Sequence, residues 1–141
     1  MNKHVFNLRM STTYAPKDNE INSLETQLFE NNAWTTFDLN SKTPGFLIYV
    51  YSIFTCQHLF LRTNASECNL VFNSSRGEIL VEASEDWHLE KVDVRFVVNL
   101  VSGHASPESI EYIISRMKQC PVSKNLPQNI DIQTSVEFEH G

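Results

Sequence analysis

The chain opens on an alternation. From His4 to Tyr14, Phe6, Leu8, Met10 and Tyr14 fall on one side, while Asn7, Arg9 and Ser11 fall on the other. A period of two puts these sets on opposite faces of a strand. Ala15 to Asn22, with Pro16, Asp18 and Asn19, reads as a loop. Gln27 to Glu30 and Ala33 to Leu39 make a predicted hairpin around Asn31-Asn32, because asparagine accepts the positive φ that tight hairpin turns need. The run Ser41 to Gly45 then breaks the pattern, and its Pro44 is suited to opening a helix.

From Phe46 to about Ser66 the pattern is helical and unusually apolar. No Lys, Arg, Asp or Glu occurs between Pro44 and Leu61. A helix of that kind is buried on most sides. The stretch is near the lower length limit for a membrane span, but Gln57 and His58 lie inside it and strand patterns flank it, so no span is expected. The period then returns to two. Asn69 to Phe72 and Glu78 to Ala83 read as strands around a turn at Ser74-Ser75-Arg76-Gly77. Lys91 to Val101 is the cleanest strand, with Val92, Val94, Phe96, Val98 and Leu100 on one face.

Ser106-Pro107-Glu108 joins a capping hydroxyl, a first-turn proline and an acid at the positive end of the dipole. Ile110, Ile113, Ile114 and Met117 follow at helical spacing until Pro121 ends the helix. Ile130 to Glu139 is the last predicted strand. The reading is one α+β domain over 1–141: strands in 1–40, a helix over 44–66, strands in 69–101, a helix over 106–120 and a strand over 130–139. A buried helix in so short a chain needs a curved sheet and a partner subunit to cover it, which predicts a homodimer.

Eleven basic and seventeen acidic residues give a net charge of −6. That argues against a nucleic-acid surface, which relies on clustered cations. The first eleven residues carry no apolar run, so no secretory signal is expected. Three cysteines then suggest free thiols in a reducing, cytoplasmic setting. Cys56 lies midway along the apolar helix. Cys120 lies seven residues after Ile113, about two turns on, and so shares the core-facing side of its helix. Two such thiols are either inert packing or a pair able to meet. No CxxC or HxxxH spacing is present, and Cys56 and His58 point to nearly opposite sides of a helix, so no metal is expected. Cys68, beside Glu67, reads as a bystander or a secondary redox partner.

The run Met117-Lys118-Gln119-Cys120-Pro121-Val122-Ser123 resembles the Cys-Pro-Val segment of the OsmC/Ohr family of thiol peroxidases. Thr43-Pro44-Gly45 through Ser52-Ile53-Phe54-Thr55-Cys56 is similar to that family's first-cysteine helix. The likeness spans roughly Thr43 to His140. It implies an OsmC-like fold, with two curved antiparallel sheets wrapped around central helices in an intertwined homodimer. It implies no cofactor, a hydroperoxide substrate, and a thiol or dihydrolipoyl reductant. Cys56 would attack the O–O bond and become a sulfenic acid, and Cys120 would condense with it to a disulfide. Ohr-type relatives carry a Glu about ten residues before the first cysteine, where this chain has the pocket candidate Phe46. That Glu holds an Arg beside the thiolate, and the candidates for such a cation here are Arg9 and Lys17. Ser123 stands where many relatives have His. The alternative is an OsmC-like protein with little peroxidase activity whose interface pocket holds an apolar molecule, since Phe46 makes that pocket greasier. A thioesterase-like helix wrapped by strands also fits the element order, but it gives the paired cysteines no role.

Overall fold

A computed structural model describes residues 2–140. Strands β1 (His4–Tyr14), β2 (Ile21–Glu30) and β3 (Ala33–Thr36) lead into helix α1 (Gly45–Glu67). Strands β4 (Val71–Ala83) and β5 (Leu89–Ser102), helix α2 (Pro107–Lys118), a 3-10 turn (Ser123–Asn125) and β6 (Asp131–His140) follow. All six strands form one sheet in the order β3-β2-β1-β4-β5-β6. The chain is thus α+β, with both helices on one face of the sheet. There Leu8, Met10, Ile79, Val81, Val94, Phe96 and Val98 pack with Val50, Ile53, Phe54, Leu61, Ile113 and Met117 in one core.

Local chemistry explains the element ends. Asn31 and Asn32 both take positive φ, 52° and 61°, and turn the β2–β3 hairpin. Asn69, at φ 61°, closes α1, and the Leu70 amide returns to the Ala65 carbonyl at 3.0 Å. Ser106 caps α2, its hydroxyl accepting from the Ser109 amide at 3.1 Å.

Three expectations change. β6 runs parallel to β5, so the sheet is mixed rather than antiparallel. The chain leaves β5 through α2 and comes back alongside it, which is the crossover a parallel pair needs. β2 starts at Ile21, earlier than expected, since most of its residues are exposed and polar and carry little alternation signal. The turn placed at Ser74 to Gly77 does not exist. β4 runs straight through it, and the reversal comes at Ser84 to His88, where the Ser84 amide donates to the His88 carbonyl at 2.8 Å. Both turn-forming residues have tertiary reasons to be there. Ser75 is buried and bonds Tyr14. A Cβ on Gly77 would overlap the Phe96 ring, so only glycine leaves that ring its place.

Among the described residues, no helix is long and apolar enough to cross a membrane, and no group of three or more His, Cys, Asp or Glu side chains is placed to hold a metal.

Candidate functional site

α1 presents different chemistry on its two sides. The inner side carries His58, wholly buried and stacked on Phe96 with centroids 5.4 Å apart. Its Nε2 shares a 2.7 Å hydrogen bond with the Tyr14 hydroxyl, which shares a second, of 2.6 Å, with Ser75. Burial, with Arg62 nearby, pushes the His58 imidazole down to about 3, so it is neutral at pH 7. Burial also raises the Tyr14 phenol to about 12. This buried polar chain ties α1 to β1 and β4.

The other side carries Cys56, half-buried, facing the segment that follows α2. Met117 is fully buried, as helical spacing from Ile113 requires, and Cys120, just past the end of the helix, is fully buried too. α2 ends at Lys118, and Cys120 begins a tight turn whose Lys124 amide returns to the Cys120 carbonyl at 2.9 Å. In that turn the Ser123 amide points at Cys120 Sγ, 3.4 Å away. The Cys120 side chain and the Val122 amide lie close enough to Cys56 to shift its proton affinity, the first upward and the second downward. Cys56 and Cys120, 64 residues apart in sequence, therefore meet as two free thiols, one open to approach and one enclosed.

Burial pushes the Cys56 thiol up to about 11, and the neighbouring Cys120 works in the same direction; only the Val122 amide opposes them. Among the described residues no Lys or Arg draws it down. Arg9 lies on the outer face of the sheet, opposite the side on which its neighbours Leu8 and Met10 meet the helices. Its guanidinium sits 4.1 Å over the Trp34 ring, and its Nε donates to Gln27. Lys17 is exposed in the β1–β2 loop. Asn19 of that loop bonds the Arg62 and Leu70 carbonyls, which places the loop at the far end of α1. The sheet and the length of α1 thus keep both cations from Cys56 within one chain. Phe46, in the first turn of α1, is about 15 Å along the axis from Cys56. Its ring packs instead with Phe6, Tyr49 and Trp87, at 5.2, 5.6 and 5.2 Å between centroids. Cys68, half-buried at the end of α1, is remote from the pair.

One feature of the site has no counterpart in the sequence reading. Gln57, fully buried on α1, donates to the Ser123 hydroxyl at 2.9 Å and accepts from the Thr134 hydroxyl at 3.1 Å. The available signal is a lone amide inside a long apolar helix, which must find partners once buried.

No protein-family model matches the chain, and no curated protein matches it in sequence. Solved structures do match. An OsmC-like protein from Mycoplasma pneumoniae is 13% identical and superposes with a TM-score of 0.56, over 99% of this chain and 99% of that one. An OsmC-like hydroperoxide resistance protein from Jannaschia sp. CCS1 is 14% identical, with a TM-score of 0.57 over 88% of this chain and 87% of that one. A hypothetical protein from Aquifex aeolicus VF5 is 10% identical, with a TM-score of 0.60 over 83% of this chain and 89% of that one. This chain shares the OsmC-like fold with them.

Proposed function

We propose that this protein is a cysteine-based peroxidase that reduces organic hydroperoxides. The observation that carries the reading is the contact of an accessible thiol, Cys56, with an enclosed one, Cys120, in an OsmC-like fold. In the first step the Cys56 thiolate attacks the terminal oxygen of ROOH. The O–O bond breaks, ROH leaves after taking up a proton, and Cys56 becomes a sulfenic acid. In the second, the Cys120 sulfur displaces that hydroxyl as water, and the disulfide forms. An external dithiol then reduces the bridge to two thiols. Sulfenic acid so close to a second thiol is captured before a second peroxide reaches it, which is the purpose of a resolving cysteine.

The working unit in this reading is a homodimer. Two observations support it. Ile48 and Leu59, on the face of α1 that also carries Ser52 and Thr55, remain 38% and 44% exposed, and this uncharged stripe runs beside Cys56. On the inner face of the sheet, Ile21 and Leu24 stay 40% and 36% exposed because neither helix of the same chain reaches them. A second copy covers both surfaces and brings the cation that a thiol held near 11 requires. Lys17, exposed on its loop, is the better placed of the two candidates, since Arg9 is already engaged by Trp34 and Gln27 on its own sheet.

The test is consumption of cumene hydroperoxide with a dithiol reductant. Wild type should turn over, Cys56→Ser should be inactive, and Cys120→Ser should stop after one equivalent. Equal turnover by wild type and Cys56→Ser, or two unmodified thiols after peroxide treatment, removes the proposal.

A further inference from the structure

The turn that begins at Cys120 packs Val122 and Leu126 against the core that α1 helps to form. Cys56 is on a rigid helix, whereas Cys120 starts an irregular turn. A short relay of side chains adds directional contacts to that packing. Gln57, the residue after Cys56, donates Nε2 to Ser123 Oγ at 2.9 Å. Its Oε1 accepts from Thr134 of β6 at 3.1 Å. Gln57 is wholly buried and Ser123 nearly so. A buried amide left without partners is costly, so the docked position of the turn is strongly favoured over an undocked one. Ser123 acts at both ends: its hydroxyl meets Gln57 while its amide points at Cys120 Sγ, 3.4 Å away. The neighbouring Val122 amide meets Cys56. The relay therefore bears on where Cys120 Sγ lies relative to the helix that carries Cys56.

We propose that Gln57 and Ser123 are positioning residues for disulfide closure, holding Cys120 Sγ where it intercepts oxidised Cys56. This inference rests on the peroxidase reading above. Sulfenic acid at Cys56 has two fates. Attack by Cys120 forms the S–S bond and releases water. A second hydroperoxide instead transfers an oxygen, giving the sulfinic acid and ROH. The first fate is intramolecular and depends on geometry, and a misplacement of about 1 Å can slow such a step up to about a hundredfold. The second depends on peroxide concentration alone. Loosening the relay shifts the partition toward sulfinic acid; any effect on the first oxidation, through the Val122 amide beside Cys56, is read separately as the rate of sulfenic acid formation.

The experiment is a single-turnover oxidation of the full chain by cumene hydroperoxide, with sulfenic acid, disulfide and sulfinic acid followed by quenched mass spectrometry. The variants are Gln57→Met, which keeps the volume and removes both hydrogen bonds, and Ser123→Ala, a small change in an irregular turn that serves if the helix variant folds poorly. Each should close the disulfide roughly tenfold or more slowly once its own sulfenic acid has formed, and give sulfinic acid at correspondingly lower peroxide. The double variant should be no slower than Gln57→Met, because that variant already breaks the bond that Ser123→Ala removes. Disulfide closure at the wild-type rate in Ser123→Ala, with an unchanged threshold for sulfinic acid, overturns the positioning role while leaving the peroxidase reading intact. A wild-type protein whose Cys56 never reaches sulfenic acid overturns that reading, and this inference falls with it.

Discussion

His58 shows how one buried side chain sets a pH dependence. Its folded value, about 3, lies below the ordinary histidine value of 6.5. As pH falls below 6.5 the unfolded chain takes up a proton that folded His58 refuses. The stability present above pH 6.5 is therefore lost progressively down to about pH 3, and over that interval the loss is on the order of 4 kcal/mol. His58→Gln keeps an acceptor for the Tyr14 hydroxyl but cannot titrate. Urea unfolding across pH 3 to 7 should show the stability difference between wild type and variant shrinking as pH falls. A difference that does not change with pH would mean that His58 takes up its proton over the same pH range folded and unfolded. Cys56 has the opposite sign of dependence. Its value is raised, so the contribution of its protonated form is complete below about pH 9 and fades as pH rises toward 11.

At the scale of elements, α2 matters because it delivers Cys120. Its start is set by the Ser106 cap and its charges suit its dipole, with Glu108 in the first turn and Arg116 and Lys118 in the last. Ser106→Ala should cost about 1 kcal/mol of stability, read as a lower denaturant midpoint, with faster amide exchange confined to the first turn. An unchanged midpoint would show that packing of Ile113 and Met117 alone holds the helix. Elements that bury one regular face were legible in the sequence: β1 and β5 through alternation, α2 through its cap and apolar spacing, α1 through its lack of charge. What stayed hidden depends on contacts between distant segments. Ser74 to Gly77 has the composition of a turn, yet Ser75 and Gly77 answer to Tyr14 and Phe96 across the sheet. The parallel direction of β6 leaves no mark on its own residues. The relay of Gln57, Ser123 and Thr134 joins residues 66 and 77 positions apart, and no local pattern announces such a match. Likewise nothing in the spacing of Arg9 indicates that Trp34 will take up its guanidinium.

For the whole molecule, the unresolved balance is between a core closed by one chain and surfaces left for another. The stripe of Ile48, Ser52, Thr55 and Leu59 on α1 is the sharpest place to test it. A stable interface has to bury on the order of 1,000 Å², and a charge at its centre, with no partner, prevents that. Leu59→Glu should convert a dimer to a monomer in size-exclusion chromatography with light scattering, with little change in far-UV circular dichroism. A dimer of undiminished stability would put the interface elsewhere. Loss of the dimer should also slow the reaction of Cys56 with peroxide, since the cation is supplied by the second copy in this reading.

The parallel pairing of β6 has a consequence for biosynthesis. β6 follows every other element described here, so on the ribosome Cys56 and its helix emerge well before Thr134 does. Until β6 zips onto β5, Gln57 lacks its Thr134 partner and the relay that reaches the Cys120 turn is incomplete. That pairing spans 40 residues, from Lys91 to Asp131, and so waits until α2 and the turn after it have been made. A nascent or newly released chain therefore passes through an interval with Cys56 present but unescorted, and oxidative damage to this protein should fall most heavily on molecules still being made.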